Sequence, residues 1–217
     1  MGEAEINTNT HQLIIRSVFF FYGDAANDLL SGQVAKNIED HWNEANGKCV
    51  IKNRLYELVF NITGTWVKHL KPEMVFENDN PRNNYFRIES YAGTDISFVD
   101  GIGSNTGYFK LDNLLNNSTT AAHEYGHTIG LHHPNNLDIR GKGQPGIMYP
   151  RGTIVDAAYQ YNPAAAPLEP GGTMNPFTRK VQQEDIDHLH LQKLSFNRDG
   201  FAVLGNFSSE WHEKHLP

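Results

Sequence analysis

An α+β fold is predicted by three stretches of the sequence. Residues 13–21, Leu-Ile-Ile-Arg-Ser-Val-Phe-Phe-Phe, form a strand-sized run of β-branched and aromatic side chains. Residues 25–45 repeat Leu29, Leu30, Val34, Ile38 and Trp42 at helical spacing. Further strand-like runs follow, and then a second helical stretch near 120–130 that carries histidines.

Taken in order, residues 11–23 hold a central strand, which Gly23-Asp24 breaks, with Asp24 as N-cap of the helix that follows. Asn46-Gly47 ends that helix, and His41 on its apolar edge reads as a packing residue rather than a ligand. Residues 49–51 and 55–67 are two strands broken at Asn53-Arg54, with Tyr56, Leu58, Phe60 and Ile62 alternating on one face. Residues 68–84 are polar, contain Pro72 and Pro81, and read as loop; 85–90 and 96–99 are short strands. Ser118-Thr119-Thr120 offers hydroxyls to cap the histidine helix. Residues 151–178 show no period and read as a functional loop, in which Tyr159 and Tyr161 either line a cleft or pack the loop down. A last helix spans 180–194, with Val181, Ile186, Leu189 and Leu194 on its apolar face. The tail from 201 carries His212 and His215 as surface residues.

The chain has 217 residues and a formal charge of −7, with no basic block, which argues against a nucleic-acid partner. No stretch is long and apolar enough to span a membrane. Cys49 is the one cysteine, so an internal disulfide is excluded, and it reads as a buried, inert thiol. Residues 1–10 are polar and lack the apolar core of a signal peptide.

The chemistry is concentrated in residues 123–133, His-Glu-Tyr-Gly-His-Thr-Ile-Gly-Leu-His-His. His123 and His127, four apart, share one face of a helix. Gly130 can adopt φ > 0, end the helix and turn the chain so that His133 meets the same ion. Three imidazoles suit one catalytic Zn²⁺, whose fourth position stays open to water. Glu124, beside the first ligand, is placed to take a proton from that water. A polar helix with solvated histidines is the bland alternative, and the apolar neighbours Ala121, Ala122, Ile129 and Leu131 count against it.

This pattern resembles the signature of the metzincin zinc endopeptidases, H-E-x-x-H-x-x-G-x-x-H followed by a methionine turn. Gly146-Ile147-Met148-Tyr149-Pro150 supplies the turn and is most similar to that of the matrixins, the matrix-metalloproteinase-like branch. The resemblance implies one catalytic domain over 1–217. It would hold a mixed twisted sheet, a long backing helix and an active-site helix in an N-terminal lobe (11–130), a smaller C-terminal lobe (131–195) and a tail (196–217). It implies Met148 beneath the zinc, Tyr149 and Pro150 walling an apolar pocket for the residue after the cut bond, and Asp185 anchoring the turn from the last helix. It places Asn105, Thr106, Gly107, Tyr108 and Phe109 as the edge strand above the substrate groove. Pro134 follows the third histidine where many matrixins have Ser or Thr, and the linker to Met148 is long, so Met174 is the reserve for the turn. A second, structural zinc is not expected, since residues 90–111 contain no histidine. Calcium at Asp95, Asp100 or Asp112 is possible but not predicted.

The expected activity is hydrolysis of internal peptide bonds in protein or peptide substrates by a monomer, secreted or extracellular by resemblance. Two other readings stay open: a toxin effector with one dedicated protein target, and a non-catalytic zinc-stabilised binding module. The free base Glu124 separates the first two from the third.

Overall fold

The computed structural model describes residues 1–91, 96–165 and 172–214. Its architecture is α+β, as expected: a mixed sheet with a long helix and the histidine helix packed on one face. The spine is β2 (Gln12–Tyr22). Leu13, Ile15, Ser17, Phe19 and Phe21 all point into the core from one side of it, the period-2 pattern of a pleated strand. β4 (Arg54–Trp66) runs parallel to β2 along one edge. Along the other edge β1 (Gly2–Asn7) pairs antiparallel with its first half and β5 (Asn83–Glu89) parallel with its second. β3 (Lys48–Ile51) forms a hairpin with β4 through Lys52 and Asn53, both at positive φ. β7 (Thr106–Lys110) pairs parallel with β5, and β6 (Phe98–Val99) pairs antiparallel with β7 and ends the sheet. β8 (Phe201–Leu204) pairs with β1.

Helix α1 (Asp28–Glu44) lies across β4 and β2 on the core face. Its backbone touches the sheet at Gly64, where a Cβ would stand 2.2 Å from the Ser31 carbonyl oxygen. Its N-cap is Asn27, whose side chain accepts from Leu30 N at 3.0 Å, not Asp24. The other sheet face is covered by Tyr22, Leu70, Val75 and Tyr85, joined by Trp211 from the tail. A short helix α2 (Pro72–Phe76), opened by its proline, supplies Val75 within the segment expected to be loop.

Three expectations change here. Residues 2–7 form a strand, because Glu3 and Glu5 reach outward to Arg82 and Arg16 while Ala4 faces the core. Asn105 to Phe109 are not an edge: β7 has β5 on one side and β6 on the other, and its residues from Thr106 to Phe109 are buried. The sheet ends one strand further out, at β6. His212 is not a surface residue, since its ring packs against Phe98 and Tyr108 and its Nε2 lies 3.0 Å from Asp100. Asp100 is therefore engaged by a histidine, and Asp112 lies 3.5 Å from Lys110. Asp95 and His215 lie outside the described residues. Cys49 is half-buried in β3, with its thiol pushed up to about 11 by desolvation.

Candidate metal centre

Helix α3 (Thr120–Thr128) carries the first two histidines. It is held by Tyr125, on the opposite side from them. The Tyr125 ring packs among Phe19, Trp42 and Phe60, and its hydroxyl lies 2.9 Å from Ser17 Oγ on β2. Trp42 of α1 donates through Nε1 to the Ala122 carbonyl at 3.0 Å. These contacts fix the helix against the sheet, and they escaped the sequence reading. Ala122, Tyr125 and Ile129, at helical spacing, were the available signal. At the start of α3, Ser118 Oγ accepts from Thr120 N at 3.2 Å, while Thr119 Oγ1 donates instead to the Pro176 carbonyl.

The helix ends as expected at Gly130, φ +106°. Gly130 N donates to His127 O at 3.0 Å and Leu131 N to Gly126 O at 2.9 Å, the paired bonds of a Schellman motif. The reversal brings the exposed His133 to the buried His123 and His127. His133 Nε2 lies 3.1 Å from His123 Nε2 and 3.0 Å from His127 Nε2.

The tautomers follow from the other ring nitrogens. His127 Nδ1 is 2.7 Å from the Leu131 carbonyl and His123 Nδ1 is 2.7 Å from the Ile147 carbonyl. A carbonyl only accepts, so both Nδ1 atoms carry protons and both Nε2 atoms present lone pairs. His133 Nε2 can donate to at most one of them. Three lone-pair-bearing nitrogens at this spacing repel unless a cation lies among them. Nitrogens about 2.0–2.1 Å from one tetrahedral ion lie roughly 3.3 Å apart, close to the separations found. Burial lowers the pKa of all three imidazoles, that of His127 to about 4, so they are neutral near pH 7. The three are positioned to bind a metal ion, and no other such group of histidine, cysteine and acidic residues occurs among the described residues.

Glu124 opens into a cleft of about 770 Å³ bounded by the histidines and by residues 97–102 of the sheet rim. No described residue hydrogen-bonds its carboxylate, and desolvation pushes its pKa up to about 8, against the opposing pull of Arg179. Arg179 is the main residue that sequence reasoning missed. Its guanidinium donates from Nε to Thr119 Oγ1 at 2.9 Å and from Nη1 to the Tyr149 carbonyl at 3.2 Å, and Nη1 lies 2.9 Å from His123 Nδ1. Burial lowers its pKa to about 10.

Met148 is buried against α3, its sulfur 2.3 Å from where a Cβ on Gly126 would stand. Met174 lies elsewhere, in a cluster with Ile139 and Val155 that Tyr149 and Tyr159 pack against. Tyr161 is exposed. Gly126→Ala should therefore overpack the turn and destabilise the protein by about 1–3 kcal/mol. Chemical denaturation measures this, and an unchanged midpoint would remove the packing argument.

Asp185 sits at the start of α4 (Gln183–His188), a helix shorter than the expected 180–194 because His190 adopts φ +49°. Its Oδ2 accepts from Gln182 N at 2.8 Å and from Ile147 N at 3.4 Å. One peptide unit away, the Ile147 carbonyl accepts from His123. Desolvation raises the Asp185 pKa from 3.8 to about 6. A carboxyl with a raised folded pKa incurs no burial penalty below about pH 3.8, and the penalty grows through about pH 6 and is constant above. Asn retains an oxygen that can accept both bonds. Asp185→Asn should thus gain stability relative to the parent as pH rises from 4 to 7, compared by denaturation in chelator so that metal occupancy stays fixed. A constant difference across that range would refute the burial argument.

No family model matches the chain, and no curated protein sequence matches it. Among solved structures a similarity is found to myroilysin, at 12% identity and a TM-score of 0.35, covering 89% of this chain and 100% of that one.

Proposed function

We propose that the chain is a zinc-dependent endopeptidase. The observation that carries this reading is the convergence of three neutral imidazoles, two with Nδ1 committed to carbonyls, beside a carboxylate that no described residue hydrogen-bonds. His123, His127 and His133 would hold the ion. Zinc, when bound, supplies Lewis-acid chemistry, acidifying water and polarising a carbonyl.

The chain's own residues do the rest. Glu124 accepts a proton from the attacking water at its carboxylate and returns it to the leaving amine. The substrate lies extended along the outer side of β6, whose backbone groups on that side meet no further strand among the described residues. Met148 supports the site from behind α3, and Tyr149 and Pro150 border the pocket for the residue after the cut bond. A structural zinc site would call for a fourth protein ligand and has no use for a free carboxylate, which disfavours the binding-module reading. The test is mass spectrometry of a peptide library incubated with zinc-loaded protein, with and without chelator, with metal content measured on the same sample. Internal cleavage that the chelator abolishes is expected, and its absence from a zinc-loaded sample would overturn the assignment.

A further inference from the structure

The sheet alone holds the rim of the cleft thinly. β6 is two residues long, pairs with β7 on one side and meets no further strand on the other among the described residues. Its Phe98 and Val99, with Gly101 and Ile102 beyond them, line the same cleft as the three convergent histidines and Glu124. Gly101 has positive φ and open space where a Cβ would stand, and Ile102 is exposed. So short a strand opens locally unless other contacts fix it.

Those contacts come from the tail. The His212 ring packs edge-on against Phe98, with 5.8 Å between centroids, and against Tyr108 at 5.9 Å. Its Nε2 donates to the Asp100 carboxylate, 3.0 Å from each oxygen, and the two side chains are only 13% and 9% exposed. A pair so far out of water holds its geometry more firmly than a surface pair. Val99 and Gly101, the chain neighbours of Asp100, are cleft residues, so the carboxylate passes the restraint directly to the rim. His212 is in turn fixed from the sheet. Its N–H donates to the Tyr22 hydroxyl at 3.2 Å, and its carbonyl accepts from Arg87 Nη1 at 3.0 Å. Arg87 is buried and ion-paired with Glu89. A second tether lies three residues along the rim. Asn206 N donates to the Gly103 carbonyl at 2.7 Å, while Gly103 N donates to the carbonyl of His127 at 2.7 Å.

We propose that His212 is a positioning residue for substrate. Through Asp100 and Phe98 it holds the rim where, relative to the three histidines, an extended peptide can pair with β6. This deepens the endopeptidase reading and rests on it. His212 is not among the residues that line the cleft, so the chemical step does not depend on it. The restraint acts on binding: a peptide that meets a loosened rim must first select its competent position, which raises KM and leaves kcat.

The experiment pairs two measurements on the zinc-loaded full chain. One is the kinetics of a quenched peptide cut at one verified bond; the other is hydrogen exchange of the amides of residues 98–103 without peptide. His212→Ala should raise KM by about tenfold, or about 1.4 kcal/mol, close to the worth of one hydrogen bond to a charged group. The same variant should change kcat by less than about twofold, keep one equivalent of zinc, and speed exchange at the rim but not in α3. Asp100→Ala should give the same rise, and the double variant little more than either alone, because both break one contact. His212→Gln, which keeps a donor, should recover part of the loss. A merely structural role would reduce the amount of active enzyme, lowering apparent kcat, and leave KM alone. Should His212→Ala fail to fold, Asp100→Ala and His212→Gln report on the same contact. An unchanged KM, or rim amides that exchange as in the parent, overturns the proposal and leaves the endopeptidase standing. A zinc-loaded parent that cuts no peptide sinks the endopeptidase reading, and the role of the rim in holding a substrate with it.

Discussion

Glu124→Gln is expected to slow peptide hydrolysis by about a hundred- to ten-thousand-fold, the range a positioned general base contributes. The two side chains are nearly the same size, so the cleft keeps its shape, and the carboxylate is not one of the three convergent donors. Bound zinc should therefore remain at one equivalent. Folding already disfavours the ionised form of this residue, whose pKa burial raises to about 8. The neutral amide should consequently fold at least as stably as the parent in chelator. Activity, metal content and melting temperature measured together separate the roles. A variant within threefold of parental activity would remove Glu124 from the mechanism, and one that lost its zinc would make it a ligand.

The second large effect concerns the metal itself. Free zinc at about 1,000 times its dissociation constant should stabilise the native state by about 4.1 kcal/mol, since the unfolded chain does not bring the three rings together. In His123→Ala that increment should disappear, because two donors from a single helix and one from the following turn are reduced to a pair. The same change opens a gap beside Ile147 and Arg179, so the metal-free variant should also be less stable than the metal-free parent. His133→Ala should abolish tight zinc binding with less effect on the metal-free fold, because that side chain is exposed. Thermal melts across a zinc titration make the comparison, and unaltered affinity in His123→Ala would show that the ion lies elsewhere.

The histidine helix was legible because its information is local: the spacing of 123 and 127, the glycine at 130 and the return to 133 all lie within eleven residues. β2 was legible for the same reason, as its alternation is compressed into one run. What could not be read depends on distant partners. Arg179 lies 56 residues from His123 and looks like any basic residue ahead of a helix. β1 was missed because its outward residues are charged and pair across the sheet, which makes a short strand look like a polar leader. The edge of the sheet was placed on β7 instead of β6 because both are short and apolar, and only pairing distinguishes an interior strand from an edge. The tail was equally opaque. Ser208, His212 and the backbone of 212–213 find Asn105, Asp100 and Arg87 more than a hundred residues away.

The groups that set the tautomers of His123 and His127 are main-chain carbonyls, at Ile147 and Leu131. No side-chain replacement deletes a carbonyl. The orientation of these two rings is thus insulated from drift in the surrounding side chains, and is exposed chiefly to changes that redirect the backbone, such as those at Gly130 or in the turn that Asp185 secures. Selection can accordingly rework the walls of the cleft freely while the donor set at its base stays constant.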